Sequence, residues 1–216
     1  MQQIVIKFHI FSYKKNNIRF VIMPPLYTEL FIRFLVKNTP LTQTGATDLV
    51  NLFEPVYLKE NDYFLKVGMP VHKIGFLAGG ILRRFIIDEK GNELIQQFIP
   101  EDHFFTDLDG FYLKKPSGAS IQSVTPCQVF TLSIRELETL KEERPQLKPI
   151  IAQISVQNFF ERIKTEDFLR TGTATEKYKS FVTRFPHLAQ QVPLKYIASY
   201  LRITQQSLSR IRRQKI

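Results

Sequence analysis

The stretch from Val192 to Arg213 reads VPLKYIASYLRITQQSLSRIRR: two apolar stripes at helical spacing, separated by a short break. Leu194, Ile197 and Leu201 form the first stripe, Leu208 and Ile211 the second, and Ile203 sits in the break as the plug between them. Thr204 is a good N-cap, because its hydroxyl can accept a bond from the backbone N–H of Gln206 or Ser207 that a helix start otherwise leaves unpaired. A second helix is therefore predicted to begin there. If Leu208 and Ile211 face inward, the 3.6-residue period turns Gln205, Gln206, Ser209, Arg210 and Arg213 outward. This is a helix-turn-helix pattern, and its outward side chains are of the types that read base edges and phosphates. The expected DNA-facing set also takes in Lys195, Thr204, Ser207 and Arg212.

Charge points the same way. From Glu176 onward there are nine Lys or Arg against one acid, so this end carries +8 of the chain's +10. Residues 1–23 hold four bases and no acid, which leaves the middle at −2. A basic excess confined to the helix-turn-helix segment is what displacing counterions from DNA requires, since each phosphate contact needs a cation beside it. A solvated basic helical pair packed on some other surface is the blander reading. The plug, the cap and the outward Gln-Gln pair favour double-stranded DNA as a partner.

The chain is rich enough in apolar residues, 44% with 19 Phe, to bury sizeable cores. Cys127 is the only cysteine. It excludes an intramolecular disulfide framework and a tetracysteine metal site, and it suits a reducing cytoplasm. Flanked by Pro126 and Gln128 in an apparent strand, it reads as buried filler. No apolar run approaches the ~20 residues a spanning helix needs, so no membrane association is expected.

Residues 1–22 alternate apolar and basic side chains without a continuous apolar run or a small-residue cleavage site, a poor signal peptide. An extension outside the fold, read from an upstream start, accounts for them as well as an extra strand does. From Met23 a helical lead-in is predicted, with Leu26, Leu30, Ile32, Phe34 and Leu35 on its apolar face. Between about Val56 and Ser133 the texture changes to short strands. ILRRFII (81–87) and ELIQQFI (93–99) are joined by DEKGN, a hairpin signal, while Gly79-Gly80 marks another turn and IQSV and CQVFTLS continue the pattern. Many short strands with regular turn signals predict an antiparallel β-roll or barrel. Ser133 and Glu136 form a capping box, as do Thr173 and Glu176.

Between those boxes a helix of roughly six turns is predicted after Pro145, ending at Thr171-Gly172, the preferred hinge. Leu147, Ile151 and Ile154 follow a 3.5-residue seam, with Val156, Phe159 and Ile163 on a neighbouring stripe. The helix thus has two faces to bury: one on the barrel and one on a twin copy, or both within the chain. Two-fold dimers are the usual way for a helix-turn-helix to read enough base pairs, so a homodimer is expected, with Leu147, Ile151, Ile154 and Phe159 as its helix residues. The fold class is α+β: residues 1–22 an extension, 23–144 the β-roll, 145–171 the long dimerisation helix, and 172–216 the DNA-binding domain.

This order of parts resembles the cyclic-AMP receptor and fumarate-nitrate regulator (Crp/Fnr) family over residues 24–213. The most specific stretches are FLKVGMPVHKIGFLAGGILRRFIIDEKGNELIQQFIPEDHFF and RFPHLAQQVPLKYIASYLRITQQSLSRIRR. The resemblance implies a cyclic-nucleotide-binding-like roll, a winged helix-turn-helix, dimerisation through the long helix, and RNA polymerase as a further partner. By position, Gln205, Gln206 and Arg210 fall on the family's three principal base-contacting places. Their chemistry agrees, since Arg pairs with guanine O6/N7 and Gln with adenine N6/N7.

In the ligand site the sequence departs from the family. Nucleotide-binding members carry Gly-Glu at the start of a cassette and Arg-Ser before its closing strand. Here Thr106-Asp107 and Ser117-Gly118 stand at those places. No Arg lies between Arg84 and Arg135, and from Thr106 to Gly118 Lys114 and Lys115 are the only cations, beside Asp107 and Asp109. An anionic nucleotide would meet more carboxylate than guanidinium, so neither cyclic AMP nor another cofactor is expected. A pocket there is expected to be empty or to take something apolar or uncharged, lined by Phe104, Phe105, Phe111 and Tyr112. The N-terminal cysteine cluster of the iron-sulfur branch is missing. His72 and His103 are isolated, Glu101-Asp102-His103 reads as loop, and no metal site is expected. A metal-dependent enzyme on a small barrel, or a ligand-binding barrel with a vestigial DNA end, are the contrasting readings.

Overall fold

A computed structural model describes residues 13–15, 18–20 and 24–214. Strands β1 (Tyr13–Lys15) and β2 (Ile18–Phe20) pair with each other and join neither larger sheet. The rest of the segment 1–22 lies outside the described residues.

The roll consists of two four-stranded antiparallel sheets. One runs β3 (Glu54–Leu58), β10 (Cys127–Ser133), β5 (Lys73–Gly79), β8 (His103–Phe105), the other β4 (Tyr63–Leu65), β9 (Ser120–Ser123), β6 (Leu82–Ile87), β7 (Glu93–Ile99). The predicted hairpin forms as β6 and β7, Leu82 opposite Ile99 and Ile87 opposite Glu93. Asp88 closes its loop by accepting from the backbone N–H groups of Lys90 and Asn92, and Gly91 takes the positive φ of 81°. Gly80, at φ 97°, turns β5 into β6 where a Cβ would lie 2.5 Å from the Pro126 carbonyl oxygen.

Between the sheets lies an apolar layer including Leu77, Leu82, Ile99, Ile121, Cys127 and Val129. Burial pushes the Cys127 thiol up to about 12, so at neutral pH it is a packed apolar group without a thiolate. Helices α1 (Pro25–Asn38) and α2 (Gln43–Val50) cover the outside of the first sheet. The buried face of α1 is Phe31, Ile32 and Leu35, whereas Leu26, expected on the apolar face, is exposed. Phe31 decides the phase of the helix. Fully buried, it stacks on Phe76 at 3.9 Å and meets Phe53, Phe104 and Phe130 at 5.1–5.6 Å.

Both capping boxes form: Ser133 opens α4 (Ile134–Glu143) and Thr173 opens α6 (Ala174–Arg184). The long helix α5 spans Leu147–Thr171. Leu147 and Ile150 are buried in the core under α1, and Ile151 and Ile154 pack against it. The expected dimer-helix residues fall on two faces. The turn after α4 folds the first two turns of α5 back onto the chain's own roll, so Leu147, Ile151 and Ile154 belong to the intrachain face. Val156, Phe159, Phe160 and Ile163 are the exposed apolar stripe. Helices α7 (Pro186–Gln191), α8 (Leu194–Leu201) and α9 (Gln205–Arg213) complete the chain. Every described element after Ser133 is helical, so the wing strands that the resemblance implies do not lie among the described residues. Among these residues no helix is long and apolar enough to cross a membrane.

Candidate nucleic-acid interface and roll cavity

Helices α8 and α9 meet through a three-residue turn, Arg202 to Thr204. Arg202 adopts the left-handed conformation at φ 56°, and the Ile203 N–H returns to the Ala198 carbonyl at 3.1 Å. Thr204 caps α9, its Oγ1 accepting from the Ser207 N–H at 3.1 Å, an interaction typically worth about 1 kcal/mol. Leu208 is fully buried and Ile211 nearly so, and Ile203 packs against the same cluster. With that face anchored, Gln205, Gln206, Arg210, Arg212 and Arg213 are exposed, and Ser207 and Ser209 are half-buried. Gln205, Gln206, Ser209, Arg210 and Arg213 border one open concavity. Lys195 is exposed on α8, its ammonium 4.8 Å from the Tyr196 ring centroid. The predicted set therefore divides in two: the α9 residues form a continuous surface, and Lys195 lies on the preceding helix.

Sequence reasoning missed that this helical unit is seated on the roll. Ile95 and Phe98 of β7 pack with Phe181, Ile197 and Tyr200 in one core. β7 is the last strand of its sheet. Its free backbone edge is met by Ser199, whose Oγ accepts from the Ile95 N–H at 3.1 Å and donates to the Glu93 carbonyl at 2.8 Å. Arg83, 2% exposed, holds the contact from below. It pairs with both carboxylate oxygens of Glu93, bonds Gln122 and lies 4.0 Å from the Tyr196 ring centroid.

In the roll, two of the four expected pocket residues come together. Asp107, 1% exposed, places Oδ1 2.9 Å from the Arg84 guanidinium and Oδ2 2.8 Å from Ser117 Oγ. Thr106 turns its hydroxyl to the Lys73 carbonyl, and Gly118 faces open space. The expected excess of carboxylate over guanidinium is corrected: Arg84 on β6, 23 residues before Asp107, neutralises it where Asp107 precedes α3 (Leu108–Leu113). Burial alone would raise the Asp107 pKa. The hydrogen bonds from Arg84 and Ser117, with the Arg84 charge, outweigh it and hold the carboxyl below its usual range.

Arg84 also borders a cavity of about 130 Å³. Its other walls are largely apolar, among them Ile74, Phe104, Phe111, Leu137, Ile150 and Ile154, with Gln97, His103, Thr106 and Ser155 as polar lining. Phe105 contributes as expected, but Tyr112 is exposed and stands away. Among the described residues no three His, Cys, Asp or Glu gather where they could hold a metal ion.

Two-sheet roll, long helix and helix-turn-helix together are the fold of Crp/Fnr-type transcriptional regulators. FixK2 from Bradyrhizobium japonicum superposes with a TM-score of 0.67 at 15% identity, covering 75% of this chain and 83% of that one. The c-di-GMP responsive global regulator CLP from Xanthomonas campestris gives 0.61 at 12% identity, covering 77% and 87%. A CRP/FNR family transcriptional regulator from Thermus thermophilus gives 0.59 at 16% identity, covering 74% and 84%. No family model and no curated protein matches the sequence.

Proposed function

We propose that this chain is a sequence-specific, dimeric DNA-binding transcriptional regulator of the Crp/Fnr type that catalyses no reaction and does not answer to cyclic AMP. The observation that carries the reading is the exposed face of α9, where Gln205, Gln206, Ser209, Arg210 and Arg213 lie together over a buried Leu208 and Ile211. A helix anchored this way can enter the major groove without losing its own core. Dimerisation through Val156, Phe159, Phe160 and Ile163 would supply the second reading head. The proposed setting is the cytoplasm, with RNA polymerase as the machinery acted upon.

Two substitutions test the reading head. Arg210→Ala is expected to cost roughly 1–3 kcal/mol on a specific site and to relax preference at one base pair per half-site. Arg213→Ala is expected to weaken specific and random DNA alike. Quantitative gel shifts on both DNAs decide it: equal losses on random sequence for the two variants reduce Arg210 to a phosphate contact.

The roll gives a separate expectation. A buried cyclic phosphodiester needs a charge-assisted partner to replace its water, and the guanidinium in this region is already paired with Asp107. Millimolar cyclic AMP or cyclic GMP should leave the melting temperature unchanged, whereas a ligand at about 100 times its Kd adds ~2.7 kcal/mol. A saturable rise with either nucleotide contradicts the reading.

A further inference from the structure

A buried carboxylate is costly, and Asp107 is among the most deeply buried polar residues described. Arg84 gives it a charge-assisted bond at 2.9 Å, and the Ser117 hydroxyl lies within 2.8 Å. Ser117 Oγ in turn lies 2.7 Å from the Ala119 carbonyl oxygen. A guanidinium and a hydroxyl converging on one carboxylate are components of an oxyanion site. The occupant is the chain's own side chain. Arg84 also borders the 130 Å³ cavity, which otherwise has largely apolar walls, so the cation stands between the carboxylate and a space a small molecule can enter.

We propose that Arg84 and Ser117 form an oxyanion-binding site that the Asp107 carboxylate occupies as an internal ligand. The native roll therefore holds its anion permanently and leaves the cavity beside it with no unpaired charge to offer. An anionic effector is excluded because its place is taken. The molecule the cavity admits is small, uncharged and mainly apolar; an apolar cavity of about 150 Å³ has been seen to take benzene. This inference concerns the roll alone, so it stands or falls separately from DNA reading.

Removing the internal ligand tests it. Asp107→Ala leaves the Arg84 guanidinium facing an empty, carboxylate-sized space, and the variant is expected to melt lower than the native chain. Acetate or inorganic phosphate should then raise its Tm saturably, by several degrees over chloride at the same ionic strength, while the native chain shows no such response. Adding Arg84→Met to Asp107→Ala should abolish the rescue. If the single variant does not accumulate folded, refolding from denaturant with acetate or phosphate, against chloride, provides the same comparison as a folded yield. An Asp107→Ala chain indifferent to both anions overturns the proposal and leaves an ordinary structural ion pair. So does a native chain that itself gains stability from them, or a double variant that is rescued equally well.

Discussion

Titrated onto a pseudo-palindromic duplex with half-sites one helical turn apart, the protein should lose affinity steeply with salt. If each head neutralises several phosphates, the dimer makes about 6–10 such contacts, and the expected fall between about 50 and 200 mM salt is roughly 10³–10⁵-fold. The cations are available: Lys195, Arg202, Arg210, Arg212 and Arg213 are all exposed on or beside the reading pair. Filter binding over that range gives the slope of log affinity against log salt. A flat slope would remove DNA as the partner, because no arrangement of these side chains can bind phosphate without releasing counterions.

The other large effect is expected at the exposed stripe of α5. Phe160 and Ile163 are 55% and 37% exposed, unusual for large apolar side chains on one helix face. Changing both to Glu puts like charges against each other across any two-fold contact made by this face, and light scattering should report monomers. Once two heads are no longer joined, binding of the second ceases to be intramolecular. Affinity for the palindrome should then fall by about 10²–10⁴-fold, while affinity for a single half-site stays close to that of one native head. A double variant that remains dimeric places the interface elsewhere.

Local features are legible in the sequence because the physics that sets them is local. Thr204, Ser133 and Thr173 cap helices with partners three residues away, and each cap forms as its sequence predicts. The inward and outward faces of α9 follow from period alone. Relations across the chain escape such a reading. Set against the cations beside it in sequence, Asp107 looks unneutralised, yet its partner Arg84 is on β6 and reaches it through the fold. The contact of Ser199 with Ile95 spans 104 positions and has no signature in either segment. Leu147, Ile151 and Ile154 illustrate a subtler loss. Their seam is real, but spacing says only that residues share a face, and the turn after α4 decides that this face meets the chain's own roll.

The seating of α8 on β7 has a consequence for solubility. Ser199 is what keeps the Glu93 carbonyl and the Ile95 N–H from lying bare, and Phe98 and Ile95 are dry only while Tyr200 and Ile197 rest on them. Lifting the helical unit away would uncover a strand edge and an apolar patch at the same time, the combination that recruits a strand from another molecule. Movement of the α8–α9 pair away from the roll is thus expected to favour self-association. At high protein concentration, an exchanged dimer in which one chain's α8 seats on its neighbour's β7 would satisfy the same bonds as the closed chain.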